Sequence, residues 1–172
     1  TWIAIEHDMN LNDEAVITGL AESAQIDVRP PSKEDGRAFD VIIGDKDVTW
    51  DIRGGQVDAN VSAVSAYAGV RKALSEKQRR IGLRGKVVMV GRDIGTVVLP
   101  EADLKVYLDA SAEERAKRRY NEIVARGESA KYDEILEKVV ERDRIDSTRA
   151  VAPLRPAEDA VIIDSDKMDV EQ

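Results

Sequence analysis

At 172 residues, 42% hydrophobic and 35% charged, the chain is long enough to bury a core, yet it has no run of about 18 apolar residues that would span a membrane. Its net charge of −8 argues against the broad basic footprint that a nucleic-acid backbone needs, and with no cysteine it has no disulfides, thiol nucleophile or thiolate metal site. The opening Thr-Trp-Ile-Ala-Ile-Glu-His lacks a charged n-region, a long apolar stretch and a cleavage motif, which with the absence of cysteine suits the cytoplasm.

Residues 1–9 read as the end of a helix, since Trp2, Ile3 and Ile5 follow no capping residue. A second helix is expected from Asp13 to about Ala24, with Asn12 as its N-cap. Ile26 to Arg29 reads as a strand stopped by Pro30 and Pro31, and Gly44-Asp45 marks a hairpin between residues 38–43 and 46–49. Residues 25–53 thus form a small antiparallel excursion, too short to be a domain. After Gly54-Gly55, the spacing of Val57, Val61, Val64, Val70, Leu74 and Ile81, interrupted near Ala68-Gly69, predicts two helices in series.

Val87 to Val90, an apolar β-branched run between Gly85 and Gly91, predicts a strand buried on both faces of a parallel sheet. Ligands in such sheets bind beyond the carboxyl ends of the strands, where this chain places Arg92 and Asp93 between two glycines. On its own, this stretch fits either a ligand loop or a surface turn with a local ion pair. Leu104 to Leu108 is a second expected buried strand. Ser111 and Glu114 form a capping box for a helix running to about Arg126, where Gly127 stops it. Asp133 is expected to cap a helix to about Ser147, and Ala160 to Ile163 to form a third buried strand, with a further helix due at the C-terminal end. Strands alternating with helices predict a parallel α/β sheet.

The helix over 133–147 carries the sharpest functional signal. Its apolar stripe, Ile135, Leu136, Val139 and Val140, continues at three- and four-residue steps into Arg142, Asp146 and Arg149. A stripe that turns charged along its buried side either leaves the protein or lines a polar cavity, and the proline-pinned loop that follows, with Arg149 and Arg155, favours the cavity. Arginines gathered at 115–126 and 142–155 in an acidic protein point to a small anion, phosphate foremost. Arg115, Arg118 and Arg119 fit either a solvated helix laced with ion pairs or a lid that brings arginine to a transferring phosphate. Ser62, Ser65 and Arg71 lie on the helix before the Val87 run, where serine is usually a filler. His7, the only histidine, cannot form a metal pair, and no Ser-His-Asp set, zinc spacing or EF-hand loop occurs.

Taken together, Gly91-Arg92-Asp93-Ile94-Gly95-Thr96-Val97-Val98, the run from Ala110 to Arg119, Glu141-Arg142-Asp143, and the run from Asp146 to Leu154 resemble the bacterial cytidylate (CMP) kinases in order and separation, over nearly the whole chain and least over 10–50. The resemblance implies an α/β P-loop nucleoside-monophosphate-kinase fold: a parallel-sheet core with helices on both faces, an NMP-binding lobe at 1–62 with a β insert at about 25–53, core at 63–113 and 133–172, and a short lid at 114–132.

It implies transfer of the ATP γ-phosphate to CMP or dCMP. Ser62, Arg71 and Asp93 match the positions that read cytosine. Asp93 suits the N4 amino donor, whereas uracil would place an oxygen against its carboxylate. Arg142 and Asp146 match ribose positions, Arg92 and Arg149 phosphate positions, and Arg115, Arg118 and Arg119 the lid arginines. ATP and Mg2+ are the implied cofactors, and a cytoplasmic monomer with no nucleic-acid or membrane partner the implied state. No G-x-x-x-x-G-K-[ST] phosphate loop occurs. The expectation is therefore a chain trimmed at both ends from a longer protein and inactive alone, with the magnesium ligands supplied by the absent segment and ATP. The alternatives are a CMP-binding remnant without catalysis, a P-loop kinase with another acceptor, and an RNA-contacting protein using the 115–126 helix.

Overall fold

Apolar residues spaced at helical intervals fold the front of the chain into four helices around a small core. These are α1 (Trp2–Glu6), α2 (Glu14–Ser23), α3 (Gly55–Ala66) and α4 (Ala68–Gly82). Ala4, Ile17, Val64 and Val70 are buried at its centre, with Leu20, Tyr67 and Leu74 packed around them. The structure, a computed structural model, describes residues 1–168, so the helix expected at the C-terminal end lies outside the described residues. The chain divides into two compact units, Thr1–Met89 and Val90–Gln172.

In the first unit Asp13, not Asn12, caps α2: its side chain accepts from the Val16 N–H at 3.1 Å, while the Asn12 N–H donates to the Asn10 side chain. The expected break between the two helices in series falls at Tyr67, whose extended backbone ends α3 and whose hydroxyl donates to the Leu11 carbonyl at 3.0 Å. Gly69 then lets α4 meet α2, because a Cβ there would lie 2.4 Å from Thr18 Cγ2.

The excursion over 25–53 is the antiparallel sheet β1 (Ile26–Arg29), β2 (Asp40–Ile43) and β3 (Lys46–Asp47), with Ile26 opposite Ile43 and Ile43 opposite Lys46. It is organised by a charge. Arg37, its side chain 3% exposed, donates through Nε and Nη2 to Asp35 at 2.8 and 2.7 Å, and through Nη1 to Asp40 at 2.8 Å and Asp47 at 2.7 Å. Thr49, fully buried, accepts from the Val41 N–H at 2.9 Å and donates to Asp47 at 2.6 Å. A buried guanidinium is tolerable only with such partners.

The second unit begins with a π turn over Ile94–Val98, closed by Val98 N–H to Asp93 carbonyl and Leu99 N–H to Ile94 carbonyl bonds of 3.2 and 2.7 Å. Strand β4 (Val106–Asp109) leads into α5 (Ala112–Ala125), α6 (Tyr132–Thr148) follows, and β5 (Val161–Asp164) returns parallel to β4, with Val106 opposite Val161 and Asp109 opposite Asp164. The capping box is present, since Ser111 Oγ accepts from the Glu114 N–H at 3.2 Å, and Gly127, at φ +79°, ends the α5 turn. Asp133 does not cap α6. It lies in the first turn behind Lys131, where its charge favours the helix dipole.

All three expected buried strands depart from expectation. Val87 to Val90 forms no ladder, and Val88 and Val90 are each 92% exposed. β4 and β5 form where expected but are not buried on both faces, because Val106, Leu108, Val161 and Ile162 are half or more exposed. The physical reason is common to all three. An apolar β-branched run becomes a buried strand only where another strand takes its hydrogen bonds and helices cover it, and α5 and α6 pack mainly on one another. The fold is mixed α/β, with a parallel pairing of two strands and a small antiparallel sheet of three.

Candidate active site

The charged end of α6 is built from its own helical spacing. Ile135, Leu136 and Val139 are half-buried along one side, and the same side continues through Asp143 to Asp146, which is 4% exposed. The inward step from Val139 is thus to Asp143, four residues on, while Arg142 lies at the outer edge with its side chain 48% exposed.

Asp146 is the hub of a cluster in the second unit. Its Oδ1 accepts from Arg149 Nη1 at 2.7 Å, its Oδ2 accepts a short bond from Arg92 Nη1, and Arg142 Nε stands 4.0 Å from Oδ2. Arg149 is at the C-terminal cap of α6, and its Nε donates to the Ala152 carbonyl at 2.6 Å. Ala152 holds the left-handed φ of +52°, uncommon without glycine, and the Leu154 N–H returns to the Asp146 carbonyl at 2.8 Å. The loop after α6 is therefore folded back so that Arg149 stays on Asp146. Arg92 arrives from the turn before the π turn. Gly91 is needed there, since a Cβ would meet Ile94 Cγ1 at 2.8 Å.

A second carboxylate extends the cluster. Asp143 accepts Arg115 as a fork, Nη1 to Oδ1 at 3.0 Å and Nη2 to Oδ2 at 2.5 Å, and its Oδ1 lies 3.7 Å from Arg92 Nη1. The Asp143 carboxylate raises the Arg115 guanidinium above its ordinary value, so Arg115 stays charged. Arg92, Arg115, Arg142 and Arg149 thus gather around Asp143 and Asp146, a concentration of guanidinium groups in a protein whose net charge is −8. Guanidinium groups so gathered suit a phosphate.

Of the residues singled out in the sequence, Arg92, Arg142, Asp146 and Arg149 come together, and Arg115 joins them through Asp143. Asp93 sits beside Arg92, and its backbone carbonyl starts the π turn. Arg118 is tied to the carboxyl end of β5, with Nη1 donating to Ser165 Oγ at 3.2 Å, Nη2 bonding the Ser165 carbonyl, and Nε reaching Glu114 at 3.0 Å. Arg119 pairs with Glu122 at 2.9 Å on the exposed side of α5. Ser62 and Arg71 belong to the first unit, at the junction of α3 and α4, where Arg71 Nη1 donates to the Ser65 carbonyl at 3.2 Å and the Ser62 carbonyl accepts from Ser65 Oγ at 3.0 Å. The sequence pattern did not single out Asp143: its place four residues after Val139 sets it on the inner side of α6, but its position between Arg92 and Arg115 is set by packing. Nor did the pattern single out Arg37, which no periodicity marks.

A family model described as "Cytidylate kinase" matches residues 1–172. Cytidylate kinase of Herpetosiphon aurantiacus is 45% identical over 166 residues, covering 96% of this chain and 71% of the relative. That of Carboxydothermus hydrogenoformans is 44% identical over 172 residues, covering all of this chain and 76% of the relative. That of Geobacter sp. strain M21 is 51% identical over 138 residues, covering 80% and 59% respectively.

Proposed function

The chain belongs to the cytidylate kinase family, and on that premise we propose that the α6 arginine–carboxylate cluster is where it holds the acceptor phosphate while ATP phosphorylates CMP or dCMP. The observation that carries this reading is the sharing of one buried carboxylate, Asp146, by Arg92 and Arg149. Asp146 fixes both guanidinium groups, and among the described residues Arg92 Nε and Nη2 have no protein hydrogen-bond partner. A fixed planar fork with donors to spare is suited to phosphate oxygens.

Phosphoryl transfer asks the protein for alignment and charge stabilisation more than for covalent chemistry. Arg92 and Arg149 would orient the acceptor phosphate for in-line attack, and their guanidinium charges would lower the repulsion between it and the ATP γ-phosphate. Arg142 and Asp146 are assigned to the ribose, and Ser62, Arg71 and Asp93 to cytosine. Arg115, Arg118 and Arg119 are assigned to the lid over 114–132, residues 1–62 to an NMP-binding lobe, and residues 63–113 and 133–172 to the core. Magnesium would accompany the ATP phosphates. The charge neutralisation that this chain's own side chains would contribute comes from its arginines. Among the described residues no helix is long and apolar enough to cross a membrane. A cytoplasmic monomer that binds no nucleic acid completes the proposal.

The test is a phosphotransfer assay of the full-length enzyme with ATP and CMP, dCMP, UMP or AMP. Preference for CMP or dCMP is expected, and Arg92→Lys should raise the KM for the acceptor. Equal turnover of all four acceptors would reject the cytosine assignment, and an unchanged KM in Arg92→Lys would reject the phosphate assignment.

A further inference from the structure

Asp143 faces two arginines from different parts of the second unit, yet nothing in the reading above gives it a task. Its carboxylate takes the Arg115 fork on both oxygens, and the oxygen nearer Arg92 lies 3.7 Å from the same Nη1 that is bonded to Asp146. Arg92 Nη1 is thus placed between two carboxylates one helical turn apart on α6. Arg115, for its part, also donates Nε to the Ala110 carbonyl at 3.1 Å, just past the end of β4. Every nitrogen of its guanidinium therefore has a protein acceptor. A guanidinium bound in this way is a poor choice to reach out for a migrating phosphate, and a good one for holding a carboxylate still.

We propose that Asp143, anchored by Arg115, is a positioning residue for phosphoryl transfer that keeps Arg92 Nη1 turned towards α6 and its remaining nitrogens available to the acceptor phosphate. The inference rests on Arg92 as a phosphate ligand. On this account Arg115 acts through Asp143 and does not itself contact the transferring group. Two opposing effects set the kinetic signature. Loss of the Asp143 charge leaves the cluster more positive, which favours binding of the acceptor anion. Loss of its hold on Arg92 misplaces a phosphate ligand, and small misplacements lower rate more than affinity. The result is a split: kcat falls while KM for CMP stays level or drops.

The experiment uses the full-length enzyme and compares wild type, Arg92→Lys, Asp143→Asn, Arg115→Lys and the double variant Asp143→Asn/Arg115→Lys. Wild-type turnover of CMP, with a raised KM in Arg92→Lys, tests the parent reading separately. Asp143→Asn keeps the side-chain shape, and a roughly tenfold or greater loss of kcat with no rise in KM is expected. Arg115→Lys keeps the charge but cannot form the fork, so it should lose kcat to a similar extent, and the double variant should be no worse than either single one. Unchanged kcat in either single variant, or multiplying losses in the double variant, overturns the proposal. So does a kcat loss that disappears when each variant is assayed well below its Tm, because that is the mark of a merely structural role. Should Asp143→Asn fail to fold, Arg115→Lys decides the matter alone by the same split.

Discussion

Asp146 and Arg149 are joined at 2.7 Å one turn apart at the end of α6, with side chains only 5% and 7% exposed. An ion pair so far from water contributes less through its own attraction than through the damage that follows when one member is removed. Asp146→Ala should therefore cost about 3–5 kcal/mol in a urea melt. In the full-length enzyme it should also lower kcat/KM for CMP by about 100-fold or more, because Arg92 and Arg149 lose their common anchor. A variant that melts normally and turns over normally would contradict the role given to this carboxylate.

Asp93→Asn tests base selection. Cytosine presents an amino donor where uracil presents an oxygen, and an asparagine amide can meet either. The ratio of kcat/KM for UMP to that for CMP is expected to rise about tenfold or more, since a site built to hydrogen-bond one partner rejects the mismatched one strongly. Selectivity should move more than melting, because the main-chain carbonyl through which Asp93 starts the π turn is retained by the substitution. A melt that drops while selectivity stays fixed would reverse the assignment.

Gly69→Ala tests the crossing of α2 and α4. The new Cβ would meet Thr18 Cγ2 at 2.4 Å and Oγ1 at 2.7 Å, and a β-branched side chain has few rotamers in which to give way. Alanine recovers at most about 1 kcal/mol of helix propensity. Overpacking costs about 1–3 kcal/mol, so the net change is expected to be destabilising. Adding Thr18→Ala removes the two nearest atoms and should restore part of the loss, and a double variant no better than Gly69→Ala would place the strain elsewhere.

Acid should destabilise the small sheet of the first unit. Arg37, followed by the Trp50 indole, holds the Asp35 carboxyl below its usual range. Thr49 and then Arg37 do the same for Asp47, and Ser32 and then Arg37 for Asp40. Because the folded values are lower than those of the unfolded chain, this stabilisation is complete above the ordinary carboxylate range, about pH 4. It is lost as pH falls below that range through the folded-state values. Lys33, 3.3 Å from Asp47, is the other cation facing the group. Stability followed by urea melts should drop steeply below about pH 4. Arg37→Met should be less stable at neutral pH and change less over the same interval. A variant with the wild-type slope would show that the three carboxylates gain nothing from Arg37.

Local pattern was enough to read much of this protein. The capping box at Ser111 and Glu114, the hairpin at Gly44-Asp45, the paired helices α3 and α4 and the charged end of α6 were legible because each depends on residues a few positions apart, where backbone geometry alone sets the neighbours. The convergence of Arg92, Asp146 and Arg149 was legible only through resemblance, since no spacing rule joins residue 92 to residue 146. Packing settled the rest. Val87 to Val90 has the composition of a buried strand, but composition cannot supply the second strand that would accept its hydrogen bonds. Arg37 lies in a polar stretch that reads as a loop, and its burial depends on carboxylates from both sides of a hairpin. Asp143 and Arg142 are adjacent and both charged, and the direction in which α6 turns on its neighbours makes one a bridge between arginines and leaves the other at the edge.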